Sequence, residues 1–147
     1  NSDAMIDFTD FYATFEDILN LDYQQSYGKS ILPLMTNNNY NERDVLITYY
    51  DPIWGNTSMG RGVYAQNKEY KLYKNGSFFN FSKDLYEKNP IDINKLSETD
   101  NEIYSLLKTS LDSIPDLPEY NHNGWIERRK QVNESRKFNN IWQLNTK

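Results

Sequence analysis

The stretch KEYKLYKNGSFFNFSKD, Lys68 to Asp84, constrains this chain more than any other. Two runs of aromatic and aliphatic residues flank an Asn-Gly pair, and a polar segment follows. Asn75-Gly76 suits a two-residue type I′ turn, whose two central positions both need positive φ. Such a turn sets the register: Lys74 opposite Ser77, Tyr73 opposite Phe78, Leu72 opposite Phe79 and Tyr70 opposite Phe81. On that register Tyr70, Leu72, Phe79 and Phe81 form a core face. Lys71, Tyr73, Phe78 and Asn80 form a mixed, half-exposed one. A hairpin is expected here, and it needs something to cover its aromatic face.

The segments on either side supply candidates. From Asp7 the apolar residues fall at Phe8, Phe11, Tyr12, Phe15, Ile18 and Leu19, the spacing of an amphipathic helix. Asp7 suits its cap, and Asp7 and Asp10 suit the positive end of its dipole. The helix is expected to stop near Leu21, with its aromatic stripe packed into a core; a protein interface is the alternative. Tyr27–Met35, YGKSILPLM, reads as a turn and a short apolar segment interrupted by Pro33, and TNNNYNERD as an exposed loop. Val45–Asp51, VLITYYD, is β-branched and aromatic on both faces, which predicts a central strand. PIWGNTSMGRG is a long connection, and Val63–Asn67 a second short strand.

After the hairpin a second helix is expected. Thr99 and Glu102 have capping-box spacing, with Ser97 an alternative cap. Ile103, Leu107, Leu111 and Ile114 form its apolar stripe, and Pro115 closes it. Laid across an antiparallel sheet, this helix makes an α+β layer. The tail from Asp116 reads as a short basic helix anchored by Trp125, Ile126 and Val132, then a packing segment IWQL. Arg128, Arg129 and Lys130 are read as a solvated face. The fold class is therefore α+β: about four antiparallel strands against a C-terminal helix, with an extra N-terminal amphipathic helix.

Composition narrows function mostly by exclusion. With 147 residues the chain fits one compact domain, and 12 Tyr, 7 Phe and 3 Trp argue against disorder throughout. The mean hydropathy of −0.86 suits a solvated surface with long loops. No apolar run reaches the ~20 residues of a membrane span, and the N-terminal residues lack a signal-peptide pattern. A net charge of −5 argues against nucleic acid as a partner. The absence of cysteine removes disulfides, thiolate metal sites and cysteine nucleophiles. The single histidine, His122, is read as a solvated loop side chain. No GxGxxG, P-loop, HExxH or GxSxG motif occurs, and no carboxylate pair has a spacing that nominates it for acid–base work. Asn56, Asn75, Asn80 and Asn133 stand in glycosylation sequons that an Asn-rich chain produces readily. Two aromatic groups suit a sugar ring: Tyr49, Tyr50 and Trp54, or Tyr73 and Phe78. Arg61 and Lys71 add affinity for an anionic substituent. Sheet packing is the default for all of them.

Taken in order, these segments resemble the C-terminal end of a sulfatase of the arylsulfatase type, in the alkaline-phosphatase-like superfamily. MIDFTDFYATFEDIL is similar to a D-x-x-P-T-L-x-x-L helix, with Asp10 at the Asp and Ala13-Thr14-Phe15 at Pro-Thr-Leu. YGKSILPLM resembles D-G-x-S-L-L-P-L-L, with Tyr27 in place of Asp. GRGVYAQNKEYKLYKNG resembles R-x-V-R-T-x-x-Y-K-L-I through Arg61, Val63, Tyr70, Lys71 and Leu72. FFNFSKDLYEKNPI resembles Y-D-L-x-x-D-P-x-E-x-x-N-L, keeping Asp84, Glu87 and Asn89 but with Leu85 where Pro is usual. The likeness covers Ile6 to about Leu111.

The resemblance implies a small four-stranded subdomain seated against a large catalytic domain. It also implies that calcium and the formylglycine nucleophile belong to that missing catalytic domain, so no catalytic or metal-binding residue is carried over here. On this reading residues 1–5 are a cloning scar and 6–36 are a helix and linker from the edge of the catalytic domain. Residues 37–115 are the subdomain, and 116–147 a C-terminal extension. Tyr49, Tyr50, Trp54, Arg61 and Lys71 become substrate-rim candidates, with a sulfated glycan or aryl sulfate as the parent's substrate. The parent is expected to be exported, periplasmic or secreted, and the fragment alone inactive and prone to self-association. The alternative is a free-standing module for a sulfated or acidic glycan. A complete small enzyme fails for want of a nucleophile, metal or base constellation.

Overall fold

The computed structural model describes residues 2–21, 28–51, 60–119 and 122–141. Helix α1 spans Phe8–Ile18 and begins with a reciprocal capping box: Asp7 accepts from Thr9 N–H, and Asp10 accepts from Asp7 N–H. It ends in a Schellman motif. Asn20 takes the left-handed conformation, and the Leu21 and Asn20 amides reach back to Glu16 O (2.9 Å) and Asp17 O (3.2 Å). Helix α2, Leu32–Met35, is one turn with Pro33 inside its first turn, where a missing N–H costs nothing.

Four strands follow: β1 Leu46–Tyr50, β2 Gly62–Gln66, β3 Tyr70–Tyr73 and β4 Phe78–Asn80, an antiparallel meander in the order β1-β2-β3-β4. Helix α3, Glu98–Asp112, is capped by Ser97, whose hydroxyl accepts from Asp100 N–H, so the alternative cap is the one used. Its Leu107 and Leu111 are buried against Val63, Ala65, Tyr70, Leu72 and Phe78, with Ile103 and Ile114 at the margin. This is the α+β layer the periodicity implies. Helix α4 spans His122–Ile141, so His122 opens a helix instead of lying in a loop. It is 20 residues long, not short, and Val132 is exposed and so does not anchor it; Ile126 is half-buried, while the Trp125 side chain and the segment from Trp142 on lie outside the described residues.

Four further expectations are corrected. The first is the hairpin register. Tyr70 faces Asn80, Lys71 faces Phe79 and Leu72 faces Phe78, one residue away from the type I′ alignment. The loop has three residues, Lys74-Asn75-Gly76, closed by Tyr73 N–H to Ser77 O (2.9 Å) and Gly76 N–H to Tyr73 O (2.9 Å). Gly76 alone has positive φ (90°), whereas the pair expected to share that conformation included Asn75. A bulged three-residue loop needs only one left-handed position. Because side chains alternate, the slip exchanges faces: Phe78 and Asn80, not Phe79 and Phe81, join Tyr70 and Leu72 under α3. Phe78 is fully buried, stacked on Tyr70 and edge-on to Tyr104, both at 5.4 Å. Asn80 is tolerated there because its amide oxygen accepts from Ser82 Oγ and Lys83 N–H as the strand ends.

The second correction concerns β1. It lies at the sheet edge, not in the centre, and Tyr49 and Tyr50 are exposed. The third concerns α1, whose aromatic stripe is not in a core. Phe8 is 90% exposed and Phe15 60%, while Asp10, Ala13, Thr14 and Glu16 face inward. The helix packs by its polar face. The fourth concerns the loop that follows α2, which is exposed only in part, since Tyr40, Glu42 and Arg43 are half-buried.

Candidate functional site

The five rim candidates do not form one surface. In the ladder between β1 and β2, Tyr49 pairs with Val63 and Tyr50 with Gly62, so the two tyrosines point to opposite faces of the sheet. Tyr49 lies on the α3 face, where its hydroxyl lies 3.4 Å from Asp116 O. Arg61 reaches the same segment: Nε pairs with Asp51 Oδ1 (2.8 Å), and Nη2 donates to Pro118 O (2.7 Å). Lys74 joins them by donating to Leu111 O (2.8 Å) and Ile114 O (2.6 Å), a cation placed at the negative end of α3. A shallow cleft of about 330 Å³ lies beside these groups. Its cations are spent on backbone carbonyls and carboxylates, so this end of the sheet reads as a clasp on the chain after α3. Trp54 and the Asn56 sequon lie outside the described residues.

Tyr50 and Lys71 share the outer face but not a site. Tyr50 stands opposite Gly62 and Lys71 opposite Gln66, four positions along β2, roughly 13 Å apart. Around Lys71 the outer face is built densely. Its ammonium pairs with Glu87 and lies 4.8 Å from the Tyr64 ring centre and 5.7 Å from those of Tyr73 and Phe81. The Tyr73 hydroxyl donates to the other Glu87 oxygen, and its ring meets Tyr64 at 5.3 Å and Phe79 at 6.0 Å. Burial, and then this carboxylate, push the Tyr73 phenol far above the ordinary tyrosine range. Glu87 holds its place at φ 51°, a conformation costly for a residue with a Cβ. Nothing in the composition singles out Glu87; only its place in the fourth motif points to it.

A second polar centre organises the N-terminal part. Asp10 is fully buried, accepting from Asp7 N–H (2.8 Å), Lys29 N–H (2.7 Å) and the Arg43 guanidinium. Burial alone would raise its pKa; the Lys29 and Asp7 amides and Arg43 outweigh that and hold it below the usual carboxylate range. Thr14 Oγ1 donates to Asp10 O (2.6 Å) and accepts from Ile31 N–H (3.0 Å). Gly28 lies so close that an added Cβ would stand 2.0 Å from Thr9 O. Arg43 stands in a segment whose composition reads as an exposed loop, and no local signal marks it as the partner of Asp10.

Among the described residues no group of three His, Asp or Glu side chains converges as a metal site, and no helix is long and apolar enough to cross a membrane. Neither a family model nor a curated protein matches the chain.

Proposed function

We propose that this chain is the non-catalytic C-terminal part of a sulfatase, a sulfuric ester hydrolase, and that in its parent it packs on the catalytic domain and helps shape the substrate rim. One observation carries the reading: the residues on which the resemblance rests touch one another. Asp10 and Thr14 of the first motif hold the amides of Lys29 and Ile31 in the second, and Gly28 lies against the Thr9 backbone. Lys71 of the third motif pairs with Glu87 of the fourth, within which Asp84 accepts from Asn89 N–H (2.7 Å).

The outward aromatic face of α1 supports the same reading, since a face of this size in a protein meant for water ordinarily has a partner. The partner is the catalytic domain, which brings the nucleophile and calcium; the parent is exported. Tyr49 and Arg61 face one side of the sheet and Tyr50 and Lys71 the other, which counts against a single glycan platform on this chain and equally against all of them lying on one substrate rim.

The coding sequence ahead of Met5 tests the proposal. A C/S-x-P-x-R motif is expected far upstream in the same reading frame. A frame that starts at Met5 overturns it.

A further inference from the structure

The surroundings of Lys71 have the make-up of a receptor for an organic cation. Three aromatic rings, from Tyr64, Tyr73 and Phe81, lie within 4.8 to 5.7 Å of one ammonium nitrogen, with the Glu87 carboxylate paired to it. Ring faces carry negative potential and hold ammonium groups within about 6 Å. Both charged side chains are mostly covered, with 17% of Lys71 and 20% of Glu87 exposed. The carboxylate is set in place twice, by the Tyr73 hydroxyl and by a backbone in the left-handed region. The rings come from β2, β3 and the residue just after β4, so the sheet itself fixes their spacing.

We propose that Tyr64, Tyr73, Phe81 and Glu87 form a cation cage that takes a primary alkylammonium, and that the chain's own Lys71 fills it. The occupant is tethered, so its effective concentration exceeds that of any free amine and the intact chain takes up none. The cage rests on local geometry and is independent of the sulfatase reading.

Removing the occupant is the test. Lys71→Ala deletes the equivalent of n-propylammonium, so that salt is the probe, with sodium chloride and n-propanol at equal concentration as controls. The variant is expected to melt roughly 5–10 °C below the natural chain. Tens of millimolar n-propylammonium should recover at least half of the loss, saturably, while leaving the natural chain's melting point where sodium chloride leaves it. Adding Glu87→Gln should weaken the rescue at least tenfold. Recovery no greater than with the controls, or rescue undiminished by Glu87→Gln, overturns the cage. If Lys71→Ala does not fold, Lys71→Met decides, since it keeps the stem without the charge. Against a Glu87→Gln background, which takes the ion pair out of the comparison, a Lys71→Met chain as stable as its Glu87→Gln parent refutes the proposal, and a melting point lowered by several degrees supports it.

Discussion

Asp10 shows how much one side chain can organise. It stands where an acid near a helix start is expected to do no more than complement the dipole. It is instead wholly covered and ties three segments together: the α1 cap, the Lys29 amide and Arg43. Its pKa is lower in the folded chain than in the unfolded one, so its contribution to stability is present above the unfolded value of about 3.9. That contribution is lost as pH falls through the folded value. Asp10→Asn keeps the shape but leaves Arg43 unpaired, and is expected to cost about 3 kcal/mol at pH 7, the low end for a broken buried pair because Arg43 keeps some access to water. Urea unfolding from pH 7 down to pH 3 measures both effects. The gap between the two chains should narrow below pH 4; a constant gap would mean the charge is not what matters.

At the scale of elements, the β3–β4 hairpin separates what turn residues indicate from what packing selects. Asn75-Gly76 marks the turn correctly, and the pair is compatible with either a two- or a three-residue loop. The choice is made by what fills the space under α3. Phe78 there stacks on Tyr70 and meets Tyr104, and Asn80 ends the strand with its own hydrogen bonds. The loop type makes a sharp contrast between neighbours. Gly76→Ala places a Cβ at φ 90° and should cost about 1–2 kcal/mol. Asn75→Ala loses only its bond from Ser77 N–H (3.0 Å) and should cost about 0.5–1 kcal/mol. Equal costs in thermal or urea unfolding would point back to a type I′ turn. The α3 stripe needed no such arbitration, because Leu107 and Leu111 lie one turn apart on the only wide apolar face of that helix.

On the scale of the whole molecule, α1 is the element whose placement matters most. Its periodicity is legible and its caps are where the residues put them, yet the apolar stripe faces solvent and the polar side faces the fold. An amphipathic pattern says that two faces differ; it does not say which partner each face meets. Here Asp10 and Thr14 make hydrogen bonds that burial requires, and they commit the polar face inward. Replacing Phe11 and Phe15 together by Ser should leave the stability of the chain within about 0.5 kcal/mol, as for exposed positions. It should reduce self-association in sedimentation at micromolar concentration. A large loss of stability would show that the stripe is packed after all.

The sequence by itself determines the formation of helices α1 and α3, the strands and the β3–β4 turn, the cap at Asp7 and the apolar stripe of α3, because each depends on residues within a turn or two of one another. It leaves Thr99 and Ser97 both open as the cap of α3, and the fold selects Ser97. Tertiary structure alone decides the hairpin register, the edge position of β1, the inward face of α1 and the partners of Asp10 and Lys71. Those outcomes turn on contacts between residues far apart in the chain, such as the 33 positions between Asp10 and Arg43. Local pattern leaves the candidates nearly equal in energy, and burial of one particular set of side chains separates them.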